Sequence, residues 1–528
     1  MAMPRHKQAA CATQSADMVP VRRWFRFLEE QGAQRIALPV TLLFALLVRW
    51  CVSLHGYSGQ GVPPLFGDYE VQRHWMELTI HLPASQWYFY DLSYWGLDYP
   101  PLTAFQSWLC GQAAHLIDPQ WVALDTSRGI ETHASKLFMR ATVVALEAAV
   151  FVPAVVVLFR SPQLRLPWVA RQAATLCMLL QPGLVLIDHG HFQYNAVMLG
   201  FLVWTVCFAL RGWHVLAAVA FCCAFMFKQM ALYFAPAVFF FLLAQCVRAP
   251  RGARLFCALA LAVVGTVGAM LLPWIRSPAQ LQQLLVRLFP VARGLYEDKV
   301  ANVWCAVNVV VRLRSLLPIW SLVRLATAAT AVAFLPACLH MFAVLCRRGS
   351  ARISGADAGL LLRYCLLNTS LAFFLFSFQV HEKSILLPLV PALMLLDSEQ
   401  WAVSWLVQVA LFSNYPLLFR DGQRMPYWVL AVGWSVLRGC PACPADAQTP
   451  RLVARLQWVS TLVMLAIHAG HALLAPPPSL PDLYVVLNVE FSCAMFAAFF
   501  LYFNYRQFAC LRPRAAAPTA APAKQKTS

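Results

Sequence analysis

A short polar segment, Phe66-Gly-Asp-Tyr-Glu-Val-Gln-Arg-His-Trp-Met76, carries the residue types in this chain that are best suited to chemistry. Four titratable residues lie close together in it: Asp68, Glu70, Arg73 and His74. A carboxylate such as Asp68 can act as a general base that removes a proton from a bound hydroxyl as it attacks. Asp68 can equally cap the helix that follows it, and Glu70 can be a second carboxylate or a solvated partner of Arg73.

The rest of the chain has the composition of a protein embedded in lipid. Its 528 residues are 60% hydrophobic and 12% charged, whereas soluble globular chains carry about 25% charged residues. Apolar runs of roughly 17 to 25 residues recur along nearly the whole length, and each is long enough to cross a bilayer as a helix. The composition therefore predicts an all-α polytopic membrane protein. In such a protein a dense cluster of charges costs free energy, so its presence points to a functional role.

The formal net charge of +18 is explained by Lys and Arg in cytosolic loops and tails, so no nucleic-acid partner is expected. Basic residues before the first apolar run place the N-terminus in the cytosol. We expect a basic cytosolic tail over residues 1–35, a membrane domain over 36–506 and a disordered cytosolic tail over 507–528. The first loop of the membrane domain, 55–135, is long and acidic, which suits the non-cytosolic side.

About fourteen apolar segments are predicted to span the membrane. They are 36–54, 137–159, 172–187, 194–210, 214–227, 230–247, 254–275, 317–346, 357–378, 384–397, 400–419, 425–438, 456–475 and 482–506. Two amphipathic helices, 74–82 and 101–117, are predicted to lie at the membrane interface within the first loop. The loop 420–424 contains two arginines and fits poorly on the non-cytosolic side, where this topology places it.

This topology places four polar clusters on one face of the membrane: the opening segment, 188–195, 293–299 and 381–383. One shared site on that face is the simplest interpretation. Arg293, His381 and Lys383 can stabilise the charge that develops on a leaving phosphate, or they can form buried ion pairs.

A metal site at Asp188, His189 and His191 is a weaker hypothesis, because two histidines separated by one residue lack a further clear ligand set. We interpret these residues as polar ends of spans that face substrate. The sequence also contains no Gly-rich phosphate loop, which disfavours a nucleotide substrate.

Six segments carry recognisable motifs. They are Gly67-Asp-Tyr-Glu-Val-Gln-Arg-His-Trp-Met-Glu77, Tyr94-Trp-Gly-Leu-Asp-Tyr-Pro-Pro-Leu-Thr103, Gly190-His-Phe-Gln-Tyr-Asn195, Phe227-Lys-Gln-Met230, Arg287-Leu-Phe-Pro-Val-Ala-Arg-Gly-Leu-Tyr-Glu-Asp-Lys-Val-Ala-Asn-Val-Trp304 and Phe376-Ser-Phe-Gln-Val-His-Glu-Lys383. In them the chain resembles the dolichyl-phosphate-glucose-dependent α-1,3-glucosyltransferases of asparagine-linked glycan assembly. The first segment and Tyr296-Glu-Asp-Lys-Val-Ala-Asn302 look like the branch that adds the first glucose, although Val71 replaces the family's alanine.

The resemblance implies a GT-C fold in the endoplasmic-reticulum membrane, with a lumenal active site, no metal and no cofactor. The implied partners are dolichyl-phosphate glucose, a dolichyl-diphosphate-linked oligosaccharide and membrane lipid. Asp68 matches the catalytic base and His381 matches a histidine near the donor phosphate, with Arg293 and Lys383 as further candidates for that phosphate. Supporting or substrate-binding roles are expected for Glu70, Arg73, His74, Trp75, Asp98, Tyr99, His191 and Gln193.

Three alternatives remain at this stage. The nearest is addition of the second glucose by the sister branch of the same family. A polytopic transporter would also carry intramembrane charge, but its charges are expected at the midplane within inverted repeats, and no internal repeat is evident. A catalytically inactive scaffold is disfavoured by the intact Asp68. Lys524 and Lys526 near the C-terminus resemble a dilysine retrieval signal for the endoplasmic reticulum.

Overall fold

The computed structural model of the protein describes residues 19–289, 299–347, 353–440 and 451–511, and within these ranges the regular secondary structure is helical. The helices up to residue 271 are α1 (Pro20–Glu30), α2 (Gln34–Ser53), α3 (Gly67–His81), α4 (Pro101–Ile117), α5 (His133–Phe159), α6 (Trp168–Leu179), α7 (Pro182–Val185), α8 (Asn195–Leu210), α9 (His214–Phe227), α10 (Ala235–Arg248) and α11 (Gly252–Leu271). The later helices are α12 (Pro278–Leu288), α13 (Val303–Val310), α14 (Leu313–Leu316), α15 (Ile319–Leu345), α16 (Gly355–Phe376), α17 (Leu386–Leu393), α18 (Gln400–Ser413), α19 (Tyr415–Arg420), α20 (Arg424–Arg438), α21 (Arg451–Leu473) and α22 (Leu483–Ala509).

Helices occur at every predicted span, and the described part of the chain contains nine segments long and apolar enough to cross a membrane. These are Gln34–Ser53, His133–Phe159, Trp168–Phe192, Gln229–Arg248, Gly252–Leu271, Ile319–Leu345, Gly355–Phe376, Arg451–Leu473 and Leu483–Ala509. The helices at the other predicted positions are shorter than the roughly 20 residues that a single crossing needs. Helix length therefore supports nine of the predicted crossings, and the protein is a multi-pass membrane protein.

Burial separates central helices from peripheral ones. The segment Trp168–Phe192 and helix α16 are buried along most of their length, whereas α11 exposes apolar side chains such as Leu261 and Val264. A helix that is apolar all round is buried either in protein or in lipid. The exposed apolar surface of α11 is thus the surface expected to contact lipid.

Helix α3 begins at Gly67, earlier than the predicted start at residue 74, and it packs against α4. Gly111 of α4 permits the close approach, because a Cβ there would lie 2.7 Å from the Met76 carbonyl oxygen. The extra two turns bring Asp68 and Glu70 into the helix. The position of both helices at the membrane interface stays a prediction.

The predicted N-terminal tail contains α1, which packs against α6 and α20. The Phe25 ring lies 6.1 Å from the Trp168 ring, and Arg22 pairs with Asp397 at 2.5 Å. At the other end, α22 continues to Ala509, and residues 512–528 lie outside the described residues.

Candidate active site

Helix α3 starts from a strained turn that fixes the position of Asp68. Phe66 occupies the N-cap in the left-handed conformation, with φ of 56°, and Gly67 follows with φ of 62°. A Cβ at Gly67 would lie 2.7 Å from the backbone of Ser58, so glycine is required for conformation and for space. Because Phe66 is the N-cap, the alternative in which Asp68 caps the helix is wrong.

The Asp68 carboxylate accepts three hydrogen bonds, all at Oδ2. Lys383 Nζ donates at 2.5 Å, Gln193 Nε2 donates at 2.6 Å, and His191 Nε2 lies 2.9 Å away. The donors come from two regions of the chain far from α3: the π-helical turn Leu186–Phe192 with the residue that follows it, and the segment after α16. This contact joins three of the four polar clusters that are predicted to share one site, and residues 293–298 of the fourth lie outside the described residues.

Burial alone would raise the pKa of the Asp68 carboxyl, but the charges of Lys383 and His191 and their hydrogen bonds lower it well below its usual range. The carboxylate is therefore ionised in this arrangement. About a quarter of the side chain, 25%, remains exposed. Asp68 is thus an ionised group that a substrate can reach.

Asp68 lines a cavity of about 290 Å³. The predicted site residues that line it with Asp68 are Trp75, Asp98, Tyr99, Gln193, His381 and Lys383. The Trp75 and Tyr99 rings are 4.9 Å apart and form an aromatic wall. The cavity combines aromatic and apolar side chains with charged and amide groups that converge on it, as expected of a site for a polar ligand.

Two further cations line the cavity. Lys228 Nζ donates to Asn195 Oδ1 at 2.7 Å and to Gln193 Oε1 at 3.3 Å, and burial lowers the pKa of Lys228 to about 8. Arg287 donates to the carbonyl oxygens of Gly96 at 2.6 Å and Leu97 at 3.0 Å. These contacts hold the wall of the cavity and place two positive charges on its lining.

Four predicted supporting residues do not line the cavity: His191, which contacts Asp68 from behind, and the three buried residues Glu70, Arg73 and His74. Arg73 makes a bidentate pair with Glu70, at 2.7 and 2.5 Å, and also contacts Glu77 at 2.6 Å. His74 Nδ1 lies 3.2 Å from the same Glu77, and all four side chains are buried. Glu70 is therefore the ion-pair partner of Arg73, as one of the two alternatives had it, but the pair is buried and not exposed to solvent.

The predicted 188–195 cluster divides among different partners. Asp188 accepts from Asn195 Nδ2 at 2.8 Å and from the Ala196 N–H at 2.6 Å, whereas His189 contacts Glu147 at 2.5 Å. Two members of the cluster, His191 and Gln193, reach Asp68. The side chains of Asp188, His189 and His191 thus do not converge on one point. Arg293 lies outside the described residues.

Three charged residues of the site were not singled out from the sequence: Lys228, Arg287 and Asp421. Asp421 accepts from His191 Nδ1 at 2.5 Å, and Lys228 lines the cavity. The sequence signals for Asp421 and Lys228 were weak. Asp421 lies in a loop whose two arginines conflict with its predicted non-cytosolic location, and Lys228 is a single lysine between two apolar helices. The contact with His191 places the 420–424 loop on the same face as Asp68, as the predicted topology required.

An ionised base beside several cations, in a cavity at the ends of membrane helices, suits transfer of a group from a phosphate leaving group to a hydroxyl. The fold and the site thus define a polytopic membrane transferase. The chain belongs to the ALG6, ALG8 glycosyltransferase family, whose profile matches residues 45–502. The helical polytopic architecture agrees with the predicted GT-C fold.

Curated relatives cover nearly the whole chain. The dolichyl pyrophosphate Man9GlcNAc2 alpha-1,3-glucosyltransferase of Gallus gallus is 40% identical over 497 residues, which cover 88% of this chain and 95% of that protein. The protein with the same name in Mus musculus is 41% identical over 495 residues, with 88% and 95% covered. The one in Saccharomyces cerevisiae is 39% identical over 518 residues, with 89% and 92% covered.

Proposed function

We propose that the protein transfers glucose from dolichyl-phosphate glucose to Man9GlcNAc2-PP-dolichol and forms the first α-1,3-glucose linkage. The relatives named above support this acceptor. The observation that carries the chemistry is the ionised Asp68 on a cavity that also holds Lys383 and His381. The reaction takes place at the lumenal face of the endoplasmic-reticulum membrane, with both termini in the cytosol.

In the proposed reaction Asp68 takes the proton of the terminal mannose 3-hydroxyl as its oxygen attacks the anomeric carbon of glucose. The bond between that carbon and the phosphate oxygen breaks, and its electron pair leaves with dolichyl phosphate. In-line attack on a β-linked donor gives an α linkage, so the configuration inverts. The proposed reaction uses only groups of the chain and of the two substrates, and it includes no metal ion.

Lys383 has a central part in this proposal because it contacts the base and lines the cavity. When the donor phosphate enters, Lys383 turns from Asp68 to the phosphate. Loss of the adjacent positive charge lets the pKa of Asp68 rise, so the carboxylate becomes a stronger base once the donor is bound. His381 binds the same phosphate, and Arg293 remains a second candidate for it.

The other predicted residues support the substrates or the base. Asp98 and the aromatic wall of Trp75 and Tyr99 contact sugar, and Gln193 and His191 orient the Asp68 carboxylate. The buried ion-pair network of Arg73, Glu70 and His74 stabilises α3 and thereby holds Asp68 in position.

The test uses the full-length protein in lipid nanodiscs with dolichyl-phosphate glucose and two acceptors, Man9GlcNAc2-PP-dolichol and its monoglucosylated form. We expect one glucose to be added to the first acceptor only, at the same rate with and without EDTA. Preferential use of the monoglucosylated acceptor would assign the protein to the second-glucose reaction. Transfer to neither acceptor would refute the proposed function, and inhibition by EDTA would refute its metal independence.

A further inference from the structure

We propose that Asp421 is a positioning residue that acts on the catalytic base through His191. This inference rests on the proposed function and adds a residue to its mechanism. It starts from a chain of three side chains contributed by three separate regions: Asp68, His191 and Asp421.

The His191 ring is held between two carboxylates. Its Nδ1 lies 2.5 Å from Asp421 Oδ2, and its Nε2 lies 2.9 Å from Asp68 Oδ2 and 3.1 Å from Lys383 Nζ. The side chains of His191 and Asp421 are only 3% and 4% exposed. Asp421 is therefore a buried acid behind the site, although it lies in a short turn between two helices.

The turn that carries Asp421 is fixed to the π-helical turn that carries His191. The Gln423 side chain donates to the Gly56 carbonyl oxygen. Arg140 donates to the same oxygen at 3.1 Å and to the Gly190 carbonyl oxygen at 2.9 Å. Gly190 has no side chain, and a Cβ there would lie 2.8 Å from Gln423 Oε1. These contacts set the distance between Asp421 and the imidazole ring.

The chemistry of the two nitrogens follows from their partners. An ionised carboxylate only accepts hydrogen bonds, so Asp421 keeps a proton on Nδ1 of His191. Nε2 faces Asp68 and donates its own proton in a hydrogen bond to that carboxylate, so the ring carries a proton on each nitrogen and lies between two carboxylates. Without the Asp421 carboxylate the ring loses the partner that fixes its orientation and balances its charge, and its hydrogen bond to Asp68 is weakened.

In the resting arrangement Lys383 Nζ lies 2.5 Å from Asp68 Oδ2 and 3.1 Å from Nε2. After Lys383 turns to the donor phosphate, the Nε2–H group of His191 and the Gln193 amide remain as the donors that hold the Asp68 carboxylate toward the acceptor hydroxyl. The proton of that hydroxyl moves to Asp68, and the carboxylate of Asp421 keeps the imidazole ring in place. Asp421 itself touches neither substrate.

The test compares wild type with Asp421→Asn in the nanodisc assay. Asparagine keeps the size of the side chain and removes its charge. Loss of a partner that orients a functional histidine typically costs 10- to 100-fold, so we expect kcat to fall by about that factor while KM for the donor changes by less than about twofold. The matched control is Asp482→Asn, which removes an exposed carboxylate paired with Lys299 and should leave kcat unchanged.

A thermodynamic cycle with His191→Gln separates this role from a structural one. If Asp421 acts through His191, adding Asp421→Asn to the His191→Gln variant should cause no further loss of kcat. A further tenfold loss in the double variant would overturn the proposal, as would a wild-type rate for Asp421→Asn alone. If the single variant Asp421→Asn does not purify as a monodisperse protein, kcat of His191→Gln is compared with kcat of the double variant, and this comparison tests the role of Asp421. The double variant is expected to fold because a Gln–Asn pair can form a hydrogen bond without charge.

The outcomes also separate this inference from the proposed function. A wild-type protein that transfers no glucose from dolichyl-phosphate glucose overturns both. An active wild type with an equally active Asp421→Asn overturns the role of Asp421 alone.

Discussion

Helix α3 carries two charge clusters little more than one turn apart, and they differ in almost every physical respect. The Asp68 cluster draws its partners from distant segments and opens into a cavity. The Arg73 cluster is formed largely within α3, at spacings of three and four residues, and its side chains are at most 2% exposed. One helix thus holds an accessible ionised base and a closed ion-pair network.

The difference lies in how the charges are satisfied. Arg73 also donates to Ser127 at 2.6 Å and to the Trp121 carbonyl oxygen at 3.2 Å, and Tyr94 donates to Glu70 at 3.0 Å. A buried network that is satisfied in this way rigidifies its surroundings. At Asp68 the three bonds fall on one carboxylate oxygen beside open space. Within this helix, exposure and distant partners distinguish the proposed base from the buried ion-pair network, whereas charge density does not.

The largest expected effect comes from Asp68→Asn, which removes the base and keeps the side-chain size. We expect the transfer rate to fall by about 10²- to 10⁴-fold, which is the usual cost of losing general-base catalysis. The measurement is glucose transfer by the purified variant, with its thermal unfolding midpoint as the control for folding. Transfer within tenfold of wild type would remove Asp68 from the role of base.

Arg73→Met tests the buried Arg73 cluster. It leaves Glu70 and Glu77 buried without their counter-charge, and breaking a buried pair in this way costs about 3–5 kcal/mol. We expect a large drop in the thermal unfolding midpoint and a normal KM in the protein that remains folded.

Arg128→Met is the matched control for Arg73→Met. Arg128 also pairs with two acids, Asp91 at 2.6 Å and Asp125 at 2.7 Å, but its side chain is 33% exposed. Such exposed pairs contribute about 0–1 kcal/mol. Equal destabilisation by the two substitutions would contradict the distinction between closed and exposed networks.

Glu77→Gln tests the same cluster through pH. Burial alone would raise the pKa of Glu77, but His74 and Arg73 lower it from 4.5 to about 2. The stabilisation from Glu77 is therefore complete above about pH 4.5 and is lost as the pH falls toward 2, with a size of about 3 kcal/mol. The difference in unfolding midpoint between wild type and variant should be constant from pH 7 to 5 and narrow below 4.5. A difference independent of pH over that range would show that the charge of Glu77 does not stabilise the fold.

Apart from the Arg128→Met control, Lys383→Met should give the smallest effect of these substitutions, and it acts on the Asp68 cluster. A hydrogen bond to a charged group contributes about 1.5–3 kcal/mol, so KM for dolichyl-phosphate glucose should rise by about 10- to 100-fold. Lys383→Arg keeps the charge and should restore most of the affinity. An unchanged KM for the donor in Lys383→Met would mean that Lys383 serves Asp68 and not the phosphate.

Much of the fold followed from hydropathy, because each membrane-spanning segment is a local property of the chain. The start of α3 was misplaced, since the left-handed turn at Phe66 and Gly67 depends on contact with Ser58. The site prediction grouped Asp68 correctly with His191, Gln193 and Lys383. It missed Asp421, because a lone acid in a loop carries no local sign of its partner.

Composition and motifs were sufficient to recognise the membrane class, the family and the segment that carries Asp68. Which charged side chains of that segment are exposed to the cavity and which are buried in ion pairs depends on contacts made after folding. Asp68 meets residues 123 and 315 positions away in the chain, and Asp421 meets His191 across 230. The chemical behaviour of an ionisable group depends on its burial and on the charges beside it, and for Asp68 both are supplied by segments that only folding brings together.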